Sequence, residues 1–379
     1  MNFELGDERR MLQDSLRRFL QDGYTPETRR ALGEDARGFS AELWSGLAEL
    51  GVIGALFAEE HGGFGGAGFD LAVVFEELGR VGAVDPLIDT GVLGGGLLAM
   101  STNDAHRALL EPLIDGGLHL ALAHAEPDGR YELARVATTA RGRDGGHVLD
   151  GRKSVVVNAP AADHLIVSAR VSGDVADEDG IALFLVPADA SGVERQDYAL
   201  ASGGRAAEIV LDGVAVGSEA RIEADGGAFA ALGLVHARAT LAISAEALGL
   251  MESIRALTAD YLGTRKQFGK PLGAFQALQH RMADLLIEIE QARSAVINLA
   301  GHVDGAREAR ERHVSATKHL VGEVGQRVAE EGIQLHGGIG MTMEYELGHL
   351  ARRLVMVDHR FGDTLHHLER FIALAVARP

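Results

Sequence analysis

The stretch YLGTRKQFGKPLGAFQALQHRMADL (Tyr261–Leu285) decides the reading of this chain. An Ala-rich apolar run precedes it from Phe229 to Leu262, with one interior break candidate at Gly249. A second helical pattern follows from Ala274 to Val303. The glycines and proline between them stop one helix and turn the chain into the next. In that turn Arg265 is a planar donor suited to a pyrophosphate. Phe268 offers an aromatic face, and Gln276 a paired donor and acceptor. A helix end with a solvated basic turn explains the same residues, and chemistry alone does not separate the two.

Working outward toward the C-terminus, a third long helix is expected over Arg307–Leu335. Gly337-Gly338-Ile339-Gly340 interrupts it, and shorter helices follow at Glu346–Val357 and Thr364–Ala377. Three long helices and a return suggest an antiparallel four-helix bundle.

Toward the N-terminus the period drops to two. Leu120–His124, Ser154–Val157, His164–Ala169, Ile181–Val186 and Ile209–Val214 read as strands. Turn signals stand at Asp144-Gly145-Gly146, Asp150-Gly151, Asp179-Gly180 and Asp212-Gly213. An antiparallel sandwich or barrel is expected, with SGDVADEDG (172–180) as a solvated hairpin loop. The first third is helical again: Leu12, Leu16, Phe19 and Leu20 recur at helical spacing, as do Leu43, Trp44, Leu47 and Leu50. Asp70 is expected to cap a helix carrying Leu71, Val74, Phe75 and Leu78. One more helix is expected over Asp104–Ile114. The fold class is therefore mainly α with a β middle domain. The expected domains are 1–117, 118–222 and 223–379.

Composition removes several functions. The chain has 379 residues with 36 basic against 55 acidic, a net charge of −19. That opposes a nucleic-acid or anionic-membrane surface, both of which need a basic face. There is no cysteine, so disulfides, thiolate nucleophiles and cysteine-ligated metals are excluded. No run approaches 18 uninterrupted apolar residues, the length expected of a membrane span. The N-terminus MNFELGDERR lacks the apolar core of a signal peptide. A cytoplasmic protein without membrane insertion is expected. Sixteen histidines include no H-E-x-x-H, so no metal site is expected. HGGFGGAGF (61–69) and HGGIGMT (336–342) lack the preceding strand of a nucleotide-binding loop and read as turns.

Taken together, ELWSGLAELGVIG (42–54), EEHGGFGG (59–66), YLGTRKQFGKPLGAFQ (261–276) and QLHGGIGMTMEY (334–345) resemble the acyl-CoA dehydrogenase family over nearly the whole chain. The resemblance implies an N-terminal helical domain, a middle β domain and a C-terminal four-helix bundle. It implies FAD, acyl-CoA thioesters as substrates and electron-transfer flavoprotein as acceptor. A carboxylate removes the α-proton and the flavin takes the β-hydrogen as hydride.

The chain departs from the family pattern in a directed way. In the usual Tyr-Glu-Gly-Thr motif, aligned on Thr364, the catalytic Glu position holds Gly362. Asp363 is one residue on, where an N-capping role suits it. The alternative base position on the long helix is Ala239, with Glu246 two turns further along. The half of the flavin site that the family donates to a neighbouring subunit is intact: Arg265, Phe268, Gln276, Gln334, Gly337 and Gly338 match. Thr364 also matches, and His366 stands at a family Gln position. The other half is eroded. Ala125-Glu126-Pro127-Asp128-Gly129-Arg130 and Val155-Val156-Val157 lack the hydroxyl donors that position a flavin.

This pattern implies the non-catalytic subunit of an α2β2 heterotetramer, donating FAD contacts to a paralogous catalytic subunit, in steroid side-chain or lipid breakdown. The alternatives are a homotetrameric flavoenzyme using Asp363 or Glu246 as a displaced base or altered chemistry, and a non-enzymatic interaction protein on the same fold. The net charge bears on this choice, because FAD and CoA are themselves anions. Local donors such as Arg265 must bind them, and a less acidic partner would dilute the self-repulsion of four copies.

Overall fold

The computed structural model describes residues 6–342 and 344–376. The first five residues of the N-terminus and the expected helix end at Ala377 lie outside the described residues. The helices are α1 Asp7–Gly23, α2 Pro26–Glu34, α3 Ala41–Glu49, α4 Gly68–Val81, α5 Gly96–Ala99, α6 Asp104–Arg107 and α7 Leu110–Ile114. After the β region come α8 Ala228–Thr264, α9 Gln276–Ala300, α10 Arg307–His336, α11 Glu346–Val357 and α12 Thr364–Val376. The strands are β1 Leu120–Ala123, β2 Thr139–Arg143, β3 Gly146–Val157, β4 His164–Arg170, β5 Ile181–Pro187, β6 Val193–Ala199, β7 Arg205–Gly217 and β8 Arg221–Ile222. A small hairpin pairs β9 Lys266–Gln267 with β10 Lys270–Pro271.

The chain forms two compact units. One contains Met1–Arg29, Ala67–Ala83 and Thr240–Pro379; the other contains Arg30–Gly66 and Val84–Ala239.

The first unit is helical. α10 packs against α9, α11 and α12, and α4 packs against α1 and α9. Gly249 does not break α8. It brings α4 and α8 together, because a Cβ there would overlap the Glu76 carbonyl oxygen. Gly79 on α4 does the reverse job, facing the Glu246 carbonyl oxygen. Around this contact runs a chain of ion pairs: Arg17 to Glu77 at 2.6 Å, Arg80 to Glu76 at 2.7 Å and Arg293 to Glu76 at 3.1 Å. Asp70 sits inside α4 rather than before it, and its carboxylate accepts the Ala67 N–H at 3.0 Å. α8 is long and apolar enough to cross a bilayer, yet 61 % of its most apolar 18-residue window is buried in the protein.

The second unit holds one eight-stranded sheet in the order β6-β7-β3-β2-β4-β5-β8, with β1 beside β4. Its core includes Val156, Leu165, Phe184, Ile209 and Leu211. Two pairings differ from the antiparallel expectation. β1 runs parallel to β4, and β2 meets β4 in parallel at Thr139 and Arg170. Two expected turns are also absent. Asp150-Gly151 and Asp212-Gly213 lie inside β3 and β7, where a bulge bends the pair and Asp150 accepts the Gly213 N–H at 2.9 Å. The expected helix over Asp104–Ile114 is split into α6 and α7, because Pro112 has no N–H to continue the ladder to Ala108. The acidic loop 172–180 is not merely solvated. The buried Arg170 guanidinium collects the carbonyls of Val175, Asp177 and Asp179 at 2.7–3.0 Å. Several elements were not expected: α2, β2, β6, β8, the β9–β10 hairpin and a buried π-helix over Ile88–Gly95. There Leu56, Leu120 and Phe57 press into the space left by Gly91, Gly94 and Gly95.

Candidate functional site

One end of the helical unit gathers the motif residues. Tyr261 near the end of α8 stacks on His336 at the end of α10, with ring centroids 4.6 Å apart. The His336 ring is held further by the Gly332 carbonyl at 2.8 Å and the Tyr345 hydroxyl at 3.2 Å. This stack ties the Arg265–Phe268 hairpin to the Gly337-Gly338 turn. Gln276 opens α9 after the short turn Leu272–Ala274 that follows the hairpin, and Gln334 sits on the last turn of α10. Arg265, Gln276, Gln334, Gly337 and Gly338 are all exposed.

Two features of this end are not demanded by the chain's own packing. Phe268 and Gly269 form the centre of a two-residue hairpin with φ of +53° and +80°. Both values suit the tight turn that antiparallel strands prefer, but a phenylalanine there costs about 1–2 kcal/mol. The residue is 91 % exposed, and its ring stands edge-on to Phe275 with centroids 6.2 Å apart. Gly337 holds φ +68° and ψ −146°, a conformation reserved for glycine. A Cβ at Gly337 or Gly338 would meet nothing within 4 Å, so the space beside this backbone is open.

Thr364 and His366 are placed elsewhere. The Thr364 carbonyl lies 3.1 Å from His319 Nδ1 on α10, about 25 Å along that helix from Gly337. The turn before α12 contains Phe361 at φ +61° and Gly362 at φ +106°. A Cβ on Gly362 would sit 2.5 Å from His367 Nε2 and 2.7 Å from His366 Cδ2. The position therefore opposes a side chain both by its backbone conformation and by the two histidine rings that a Cβ would displace. Lys318 on α10 is fully buried beneath this turn and donates to the Gly362 carbonyl at 2.7 Å. Burial pushes it down to about 8, although Asp358 and Asp363 act the other way.

Both candidate carboxylates are engaged. Asp363 accepts the His366 N–H at 2.8 Å, an N-cap of α12. Glu246 is buried and paired with Arg353 at 2.6 Å. Ala239 has no exposed surface.

In the β unit the Ala125–Arg130 segment and the end of β3 are neighbours, joined by the Ser154 N–H to the Ala125 carbonyl at 2.8 Å. Val155 has φ +51°, an outlier for a β-branched residue, and is 52 % exposed. Its N–H donates to Glu208 at 3.1 Å, and Glu208 also accepts from the Tyr198 hydroxyl. Burial and that carboxylate push Tyr198 up to about 12. Behind this surface lies a buried cluster that sequence reading passed over. Lys153 donates to Glu126 at 2.8 Å, Ser168 at 3.0 Å and the His124 carbonyl at 3.2 Å. Burial pushes Lys153 down to about 8 against the pull of Glu126. Burial and the neighbouring Lys153 charge push His124 down to about 3. Glu126 would be raised by burial, but Lys153 and the Thr138 N–H hold it below the usual carboxylate range. The sequence signal was weak: Lys153 stands between Arg152 and Ser154, just ahead of the apolar run Val155–Val157, and Lys318 lies between Val314 and Val321 on α10.

Three matches decide the family. Residues 6–117 match its N-terminal domain, 121–214 its middle domain and 224–362 its C-terminal domain. The chain belongs to the acyl-CoA dehydrogenase family. Benzylmalonyl-CoA dehydrogenase of Aromatoleum aromaticum is 30 % identical, with both chains covered in full. The crystal structure of the ChsE4–ChsE5 complex from Mycobacterium tuberculosis superposes with a TM-score of 0.90 at 26 % identity, covering all of both chains. A variant of the Tcur3481–Tcur3483 steroid ACAD gives a TM-score of 0.86 at 32 % identity, covering 98 % of this chain and 99 % of that one. These matches bear out the expected three-part acyl-CoA dehydrogenase fold, and the family is one of flavoprotein oxidoreductases.

Fit to FAD is uneven in this family member. The exposed Arg265, Phe268 and open Gly337-Gly338 backbone suit a pyrophosphate and an aromatic group. Ala125 and Val157 have no hydroxyl to offer a flavin ring.

Proposed function

We propose that this chain is the non-catalytic subunit of an FAD-dependent acyl-CoA dehydrogenase, an α2β2 assembly with a paralogous catalytic chain. Arg265, Phe268, Gln276, Gln334, Gly337 and Gly338 donate contacts to FAD held mainly by the partner. Thr364 and His366 are the further FAD contacts. FAD, when bound, accepts the β-hydrogen as hydride, and the partner's own carboxylate takes the α-proton. Electron-transfer flavoprotein is the acceptor in this reading and the cytoplasm its location. Residues 1–117, 118–222 and 223–379 are its three functional domains.

The observation that carries the reading is Gly362. The position that holds the base in the family is here a left-handed glycine whose Cβ direction is filled by His366 and His367. The engagement of Glu246 by Arg353 and of Asp363 by the α12 backbone counts against a displaced base. The neighbours named as a ChsE4–ChsE5 complex and a steroid ACAD support a heteromer acting on a bulky acyl-CoA, a steroid side chain or a lipid.

The test is purification of the chain alone and co-expressed with a paralogue from an adjacent reading frame. The chain alone is expected to lack a bound-flavin spectrum and turnover, and the co-expressed pair to have both. Stoichiometric FAD with turnover on any acyl-CoA by the chain alone would overturn the proposal.

A further inference from the structure

The proposed chemistry does not use the buried lysine on α10. Lys318 has no exposed side-chain surface. Its ammonium donates to the carbonyls of Gly362 at 2.7 Å and Asp358 at 3.1 Å, and lies 3.8 Å from the Asp358 carboxylate. Asp358 in turn accepts the Thr364 N–H at 3.0 Å and the Thr364 hydroxyl at 2.7 Å. On the other side of the turn, His367 Nε2 donates to the Phe361 carbonyl at 2.9 Å, while its Nδ1 faces Ser315 at 3.4 Å. Gly322 lets the turn lie directly on α10, because a Cβ there would overlap both the Asp358 carboxylate and the Thr364 hydroxyl.

The held segment is strained at Phe361, whose φ is +61°, beside Gly362, which takes +106° as only a glycine readily does. Such strain persists only where the surroundings over-determine it. Taking an ammonium out of water is costly unless oxygens replace its hydration. An apolar side chain would fill the same volume without that cost. What the charge adds is a fixed geometry: two carbonyls and one carboxylate, all on the turn that leads into α12.

We propose that Lys318 is a positioning residue, which through the Gly362 and Asp358 carbonyls and the Asp358 carboxylate sets where Thr364 and His366 present the start of α12 to FAD. This rests on the reading of Thr364 and His366 as FAD contacts.

Wild type, Lys318→Met, Lys318→Arg and Asp358→Asn are compared in the assembly isolated through a tag on this chain. Amide exchange follows residues 360–368, while FAD titration and the visible flavin spectrum follow the site. Lys318→Met is expected to speed exchange in that segment alone, to weaken FAD by about tenfold and to shift the flavin band. Lys318→Arg recovers part of the loss, and Asp358→Asn moves both readouts in the direction of Lys318→Met. Faster exchange with unchanged FAD affinity and spectrum overturns the proposal and leaves Lys318 a structural residue. A wild-type assembly without FAD overturns the functional reading instead, so the two failures are distinct. Where Lys318→Met does not fold, Lys318→Arg and Asp358→Asn carry the same comparison.

Discussion

Glycine 362 and glycine 338 are both motif positions, yet they are glycine for different physical reasons. At 362 the backbone is left-handed and the His367 ring fills the Cβ direction. At 338 nothing lies within 4 Å of a Cβ. Gly362→Ala should therefore cost about 2 kcal/mol, from strain and overlap together. Gly338→Ala should cost under about 0.5 kcal/mol. Thermal melts of the two variants side by side check this. His124 makes a second prediction at this scale. Its folded value of about 3 lies below the ordinary 6.5, so between these values the unfolded chain binds a proton that the native chain does not. Stability then rises with pH across that window and is lost as pH falls from 6.5 toward 3. His124→Gln should flatten that slope in urea titrations on either side of pH 6.5. Neither effect was legible in the sequence. A histidine or a glycine announces its residue type, while the neighbour that shifts or blocks it comes from a distant segment.

At the scale of elements, local pattern was legible wherever the chain's own periodicity decides. α11 has the expected bounds, and α8 and α10 extend only one or two residues beyond theirs. Pattern failed where a partner element decides. Asp-Gly at 150–151 and 212–213 carries turn chemistry, but the two pairs face each other across β3 and β7 and become a bulge. Gly249 reads as a helix break and is instead the contact point of α8 with α4. Gly249→Ala should push these helices apart and cost about 3 kcal/mol, with a lowered urea midpoint. Arg353 on α11 holds the buried Glu246 of α8 at 2.6 Å. Arg353→Met strands that carboxylate and should cost about 3–5 kcal/mol. Pairing it with Glu246→Leu should recover much of the loss, a coupling that a double-mutant cycle measures.

For the whole molecule, the charge of −19 per chain opposes self-assembly, and the opposition is screened by salt. Self-association of the isolated chain should therefore strengthen from low to physiological ionic strength, as sedimentation velocity would follow. A less acidic partner should bind with weaker dependence on salt in that direction. The helical–β–helical order and the family were determined by sequence alone. Periodicity and motif residues are local properties, and nothing elsewhere in the chain can change them. Tertiary structure decided what became of the motif residues. Six of them meet at one end of the helical unit through the Tyr261–His336 stack, while Thr364 and His366 stand about 25 Å away along α10. The fold also placed two histidines over Gly362 and a buried lysine beneath its turn. Those placements depend on packing between segments far apart in the chain, and packing is decided only when the segments meet.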